Sequence, residues 1–434
     1  MRPPRLLGML LATAGCNSIL GLAEPQIVGP DAGSPSPDAT ADAKTPARDG
    51  ARDRSVPGDA LDARVADTSR PGDAGPVDAA FDVRHDAATD APPDSATGVA
   101  ACTGGAGAPT SCLASGAGLS NCGVSGQDCC CSSLEVPGGT YERDYPNSAS
   151  SAPAANPATI SSFRLDKYEV TVGRFRTYIE FLTSLGGESP ASASGKHVHL
   201  NEGNGLLSVG ASSPDGGPDS GLVFETGWDS TWNTNLPTGT GTASAWDTQL
   251  TTACTGAAFA TWTDAPGANE NLPINCLSWY AAYAFCIWDG GFLPSEAEWE
   301  YAAAGGGEQR NYAWGTTSPG LASAYAIYNC DYPGGLGLCA DGGVTNLAPV
   351  GIAPSGVARW GHLDIGGNVW EFTLDSFADY VVPCIDCVNE TAQQFRIERG
   401  GSFTDTAAAL VPPFRGYGFS SAFDENGMRC ARTP

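Results

Sequence analysis

Cysteine is the residue type with the most chemistry to offer in this chain, and there are 15 of them. Six crowd together as Cys102, Cys112, Cys122, Cys129, Cys130 and Cys131. A zinc cluster needs paired CxxC spacing, which this run lacks. Glycine, alanine and serine fill its gaps, so it reads as a small disulfide knot whose pairing the sequence leaves open. Cys384-Ile385-Asp386-Cys387 has the spacing of a redox pair, but no thioredoxin-like βαβ pattern surrounds it. His197-Val198-His199 places two imidazoles on one face of an extended segment, as a metal pair requires and as hydrogen-bonded histidines also do. Glu296, Glu298 and Glu300 resemble paired acid–base carboxylates, yet a helix start explains two of them more simply: Glu298 as a cap partner and Glu296 as a charge on the helix dipole. At Asn368-Val369-Trp370-Glu371, backbone carbonyls beside one fixed carboxylate suit a hard, oxygen-seeking cation, or else a hydrogen-bonded turn. No GxSxG, HExxH or P-loop pattern occurs.

The elements that must position these groups are partly visible. Phe163 to Val170 alternates and predicts a strand. Thr171 then offers an N-cap, and Val172, Phe175, Ile179 and Leu182 fall on one helical face. A second helix, from about Trp279 to Asp289 and capped by Ser278, is apolar all round and therefore buried. A third starts at Ser295, where Ser295 and Glu298 fit a capping box and Gly305-Gly306-Gly307 stops it. Glycine and proline break the rest of the chain often. The reading is α+β with much irregular backbone.

Composition divides the 434 residues. Residues 1–16 read as an export signal. Arg2 and Arg5 precede an apolar run, Leu6 to Ala14, too short to span a bilayer. Thr13, Ala14 and Gly15 before Cys16 resemble a bacterial lipobox, in which the cysteine is acylated and becomes the mature N-terminus; the alternative is a plain secretory signal. Asn17 does not resemble the inner-membrane retention signal of enteric bacteria, which favours the outer membrane. Residues 17–100 are rich in Ala, Asp, Pro, Gly and Ser, bury too little apolar area to fold, and read as an extended tether. Residues 101–133 hold the knot, and 134–434, rich in aromatics, are long enough for a large core. Export predicts oxidised cysteines, and setting Cys16 aside leaves an even number. The net charge of −26, with no basic stripe, argues against nucleic acid as a partner.

Seven segments in order then resemble the formylglycine-generating enzyme, or sulfatase-modifying factor, family. They are Leu165 to Thr171, Pro273 to Trp279, Gly291 to Ala302, Tyr312 to Gly315, Gly366 to Phe372, Arg399 to Phe403 and Gly427 to Ala431. The resemblance implies a variant of the C-type lectin fold over about 134–434. It implies a calcium ion (Ca2+) on the backbone oxygens of Gly366, Gly367 and Val369 with the Glu371 carboxylate. A second would sit at Asn329, the carbonyl of Cys330, Asp341 and the carbonyl of Gly343, in a loop that departs from the family in length. It also implies a Cys286–Cys430 disulfide; Cys254–Cys276, Cys330–Cys339 and Cys384–Cys387 are then the natural remaining pairs by proximity.

Catalytic members of the family oxidise a substrate cysteine with O2, holding copper(I) between two cysteines that follow the Arg-Gly-Gly-Ser-aromatic motif. Here those positions fall on Asp405 and near Leu410, and no cysteine occurs between Cys387 and Cys430. Copper(I) asks for soft thiolates, so this chain is expected not to bind copper there. The sequence therefore points to a non-catalytic, calcium-stabilised module, lipid-anchored at the outer membrane, with a glycan, peptide or envelope protein as partner and a cleft expected beside Ser402 and Phe372. The alternative is an oxidoreductase of the formylglycine-generating type that acts on cysteine of exported proteins.

Overall fold

Four helices carry the core: α1 (Val172–Leu185), α2 (Thr242–Thr251), α3 (Trp279–Trp288) and α4 (Glu296–Ala304). The computed structural model describes residues 102, 109–146, 156–185, 188–209, 222–237, 242–334, 339 and 343–434. All belong to one compact unit, Ala88–Pro434. Cys16, the 17–100 segment and Asp341 lie outside the described residues.

The helices form for the reasons their sequences suggest. Thr171 Oγ1 accepts from Arg174 N at 3.2 Å at the start of α1. Phe175 of α1 packs on Phe285 of α3, centroids 5.5 Å apart. Ser278 Oγ accepts from Ala281 N at 3.2 Å and caps α3, whose Trp279, Ala282, Phe285 and Cys286 are fully buried. Ser295 and Glu298 close a reciprocal capping box on α4, and Gly305 ends that helix at φ 69°. Among the described residues no helix is long and apolar enough to cross a membrane.

Twelve short strands lie among the described residues: β1 (Ser133–Val136), β2 (Gly139–Arg143), β3 (Asn156–Ile160), β4 (Phe163–Asp166), β5 (Leu207–Val209), β6 (Trp370–Ser376), β7 (Cys384–Ile385), β8 (Cys387–Asn389), β9 (Phe395–Arg399), β10 (Gly416–Phe419), β11 (Asn426–Gly427) and β12 (Ala431–Arg432). They make a four-stranded sheet ordered β10-β9-β6-β11, two three-stranded sheets, β1-β4-β12 and β2-β3-β7, and the pair β5-β8. This is the α+β fold with abundant irregular backbone. The strand expected over Phe163 to Val170 stops at Asp166, because its neighbours run out: β1 ends opposite it at Ser133 and β12 pairs only as far as Ala431.

The cysteine knot joins Cys102 to Cys129, Cys112 to Cys131 and Cys122 to Cys130. It packs directly on the helices. Ser111 N donates to Asp289 Oδ1 at 2.7 Å, and Arg174 Nη1 donates to the Cys130 carbonyl at 3.3 Å. Arg174 in turn pairs with Asp166 (2.9 Å) and Asp289 (2.6 Å), and Arg432 pairs with the same two carboxylates at 3.1 and 2.7 Å. Two cations and two anions, all buried, thus tie the knot, α1, α3, β4 and the C-terminal strand at one point. The other bridges are Cys254–Cys276, Cys286–Cys430, Cys330–Cys339 and Cys384–Cys387. Cys286–Cys430 spans 144 residues, and in the chain-entropy account a loop of that size contributes about 5 kcal/mol.

Candidate functional site

The segment after β9 begins with Arg399-Gly400-Gly401-Ser402. Two glycines are required there. Gly400 (φ 98°) and Gly401 (φ 76°) sit in the left-handed region, and a Cβ on Gly400 would lie 2.9 Å from the Ile365 carbonyl. The turn delivers Asp405 back onto its own start. Asp405 Oδ2 accepts from Ser402 N at 2.9 Å and from Ser402 Oγ at 2.7 Å. The Asp405 carbonyl accepts from Asn329 N at 2.8 Å. Leu410 closes a short 3-10 turn, Ala407–Leu410, and is 2% exposed among Tyr312, Tyr328 and Val411. Where the resemblance implies thiolates, on Asp405 and near Leu410, the structure has a hydrogen-bonded carboxylate and a packed aliphatic side chain.

Further acids gather beside this turn. Thr404 Oγ1 donates to Glu425 Oε1. Burial, then the charge of Glu425, pushes the Glu398 carboxyl up to about 8. The same two causes push Asp424 up to about 7. Burial, opposed by the Thr404 hydrogen bond, raises Glu425. Near neutral pH the cluster is partly protonated. It has proton donors and acceptors, and among the described residues it has no sulfur ligand and no group of three His, Cys, Asp or Glu set to hold a metal.

The other predicted residues are distributed differently. Ser402 and Phe372 do not flank an open cleft: both are fully buried, Phe372 in the main core with Trp279, Leu374 and Met428. The physical reason is that β6 is an inner strand of its sheet, buried along its whole length. Glu371 is committed to protein partners. Its oxygens accept from Arg429 Nη2 and Nε, both at 2.6 Å, and from Trp299 Nε1 at 2.7 Å. A calcium ion on that carboxylate would sit against a buried guanidinium, so the first implied calcium set, Gly366, Gly367, Val369 and Glu371, does not fit as the side chains stand. The loop of the second set fits better. Asn329 Nδ2 donates to the Asp331 carboxylate at 3.3 Å. Asn346 Nδ2 donates to the Tyr332 carbonyl at 3.1 Å, and less closely to that of Cys330. Asn346 Oδ1 is buried and lacks a hydrogen-bond partner. An orphaned buried oxygen is a group that a hard cation could satisfy, although the Cys330 and Tyr332 carbonyls face Asn346 Nδ2; of the second set, Asn329, Cys330 and Gly343 are described and Asp341 is not.

The helix glutamates serve neither as an acid–base pair nor as simple dipole charges. Glu296 pairs with Arg399 and Arg415, each at 2.6 Å, Glu300 with Arg399 at 2.7 Å, and Glu298 with His197 at 3.0 Å. His197 also pairs with Glu225 at 3.1 Å, so both its ring nitrogens are taken by carboxylates and it forms no metal pair with His199. Sequence reading missed these partners, because Glu225, Arg399 and Arg415 lie far from α4 along the chain. It also missed an open groove at the far end of the β9–β10 hairpin, lined in part by Tyr280, Gln393, Gln394 and Phe419. No spacing rule links those segments.

Comparison with known proteins places the chain in a family. The family profile described as Sulfatase-modifying factor enzyme 1-like domain matches residues 125–434. The mouse protein inactive C-alpha-formylglycine-generating enzyme 2 is 34% identical over 167 residues, 37% of this chain and 49% of its own length. The formylglycine-generating enzyme of Streptomyces coelicolor is 33% identical over 154 residues, 33% of this chain and 48% of its own. Hercynine oxygenase of Mycobacterium tuberculosis is 34% identical over 155 residues, 33% of each. The chain thus spans about half, or less, of the length of these curated relatives. The solved structure of PvdO from Pseudomonas aeruginosa superposes with a TM-score of 0.44 at 17% identity, covering 70% of this chain and 94% of that one.

Proposed function

The chain belongs to the sulfatase-modifying factor enzyme 1-like family, and from that premise we propose that it is a binding module rather than a cysteine oxidase, held at the outer membrane by a lipid on Cys16 and lifted from it by the 17–100 tether. The observation that carries this reading is the fate of sulfur. Every cysteine among the described residues is bonded in one of seven disulfides. The positions of the family's thiolate pair hold Asp405, accepting from Ser402, and the buried Leu410. A carboxylate is a hard ligand and leucine offers none, so a soft, linear copper(I) site does not fit these residues. Similarity to a relative named as inactive is in keeping with a scaffold kept without that chemistry. A calcium ion in the loop of Asn329 and Cys330 would serve structure there.

The direct test is to incubate the purified chain with copper, O2 and a Cys-x-Pro-x-Arg peptide, with the Streptomyces enzyme as positive control, and to weigh the products by mass spectrometry. The peptide is expected to stay unchanged beside this chain and to lose mass beside the control. Aldehyde product made by this chain would overturn the proposal. Arrays of glycans and peptides examine the binding half of the reading, with a partner for the chain expected on one of them.

A further inference from the structure

An open groove without charged lining among the described residues lies at the far end of the β9–β10 hairpin. It measures about 510 Å3 and lies between the 3-10 turn Ser230–Asn235, α2, the start of α3, and the residues just before β9 and just after β10. That volume falls within the roughly 300–1,000 Å3 typical of ligand sites. In a chain with a net charge of −26, none of the described residues that line it is charged. The recognition surface is instead two aromatic rings, Tyr280 and Phe419, among the carboxamides of Gln249, Gln393 and Gln394 and the hydroxyl of Ser420.

The rings are held rigidly. Tyr280 packs edge-on against Trp279 (5.3 Å) and against Trp232 (6.1 Å). Beneath them the Arg396 guanidinium lies 3.6 Å from the centroid of Trp279. Phe419, 40% exposed, packs at a tilt against Phe395 across the β9–β10 hairpin, centroids 4.7 Å apart. Tyr417, 54% exposed, continues the row towards Phe377 at 4.4 Å. Exposed aromatic rings in a row are costly on a soluble surface unless something covers them. Gln249 lines the groove, and its buried Nε2 has no hydrogen-bond partner within the protein.

We propose that this groove binds an uncharged oligosaccharide, an inference that rests on the binding-module reading and gives it a site and a ligand class. A sugar hydroxyl donates and accepts at once, and a carboxamide or serine hydroxyl does the same, so the lining matches it group for group. The C–H face of a pyranose covers an aromatic ring without needing charge. An anionic ligand would meet no cation among the described lining residues, the Arg396 guanidinium being taken up against the Trp279 ring, and a cationic one would find better partners at the acid cluster beside Ser402. Asp424 of that cluster lies two residues beyond Ala422 of the groove lining, and Glu398 lies farther off along β9. β9 runs from Phe395 at the groove to Glu398 at the cluster, and three residues of strand span about 10 Å.

The experiment prints neutral oligosaccharides and uncharged peptides on one array. The full chain is then titrated calorimetrically with maltotetraose, cellotetraose and N-acetylchitotetraose up to about 10 mM, a range that captures Kd values down to weak millimolar binding. At least one sugar is expected to bind. Tyr280→Ala and the double change Gln393→Ala with Gln394→Ala should each weaken it at least about tenfold, while Asp405→Asn, outside the groove, leaves Kd unchanged; circular dichroism and Tm confirm that each variant folds. No sugar binding on the array or in the titrations overturns the inference, as does capture of peptides alone. Sugar binding that survives the groove variants also overturns it, yet leaves the binding-module reading standing. Aldehyde formation in the peptide assay strikes that broader reading instead, so the two failures are told apart.

Discussion

His197 offers the sharpest prediction. Its imidazole is wholly buried between Glu225 and Glu298. Burial alone lowers the basicity of a histidine, but two facing carboxylates outweigh it and raise this one from 6.5 to about 10. The unfolded chain has no such pair, so the folded state holds the proton more tightly. Below pH 6.5 the ring is protonated in both states and its full contribution to stability is present. As pH rises from 6.5 to about 10 that contribution drains away. Integrated across this window at about 1.4 kcal/mol per pH unit, it is on the order of 5 kcal/mol as an upper bound. Replacing His197 by Gln leaves two buried carboxylates facing a neutral amide. Thermal unfolding of the wild type and His197→Gln, followed by circular dichroism from pH 6 to 10.5, should show the variant lower by on the order of 10 °C at pH 6, at about 2 °C per kcal/mol for a domain of this size. The gap should close as pH approaches about 10. The comparison cancels the general loss of stability that a strongly acidic chain suffers at high pH. Two curves that run parallel across the whole range would refute the reasoning.

Three further outcomes are expected. Asp289→Asn removes one anion from a buried quartet in which Arg174 and Arg432, outweighing burial, hold its carboxyl below the usual range. Breaking such a set leaves an uncompensated charge and should cost about 3–5 kcal/mol in denaturant titrations, and a change under about 1 kcal/mol would show that the quartet holds little together. Replacing Cys286 and Cys430 together by Ala should lower stability by about 5 kcal/mol or prevent folding outright, read from the midpoint of urea unfolding. Chelation by EDTA should lower Tm through the loop of Asn329, Cys330 and Asn346, and Asn329→Ala should abolish that sensitivity; a Tm indifferent to both calcium and chelator would remove calcium from this loop.

Much of the fold follows from local chemistry that the sequence displays. Ser278 and Ser295 announce helix starts because a side-chain oxygen three residues ahead of a free backbone N–H needs nothing else to cap it. Val172, Phe175, Ile179 and Leu182 announce a buried face because helical periodicity is local. The absence of cysteine from 388 to 429 leaves no thiolate anywhere in that stretch whatever the fold does. The end of β4 at Asp166 is not visible in the sequence, because a strand ends where its neighbours end.

Partnership at long range was decided only in three dimensions. Nothing local told Glu296 that it would meet Arg399 and Arg415 rather than solvent, or told His197 that Glu225 and Glu298 would close on both its nitrogens. The Glu371 carboxylate beside backbone carbonyls reads as a cation ligand until the fold brings Arg429 to it. Phe372 reads as a cleft residue until its strand proves to be an inner one. The neutral groove draws on five separated segments, none distinctive alone. Sequence fixes what each residue is able to do within a turn or two of itself, because caps, periodicity and sulfur chemistry are short-ranged. Which charge is neutralised, which ring is exposed and which donor is left waiting depend on the path the whole chain takes.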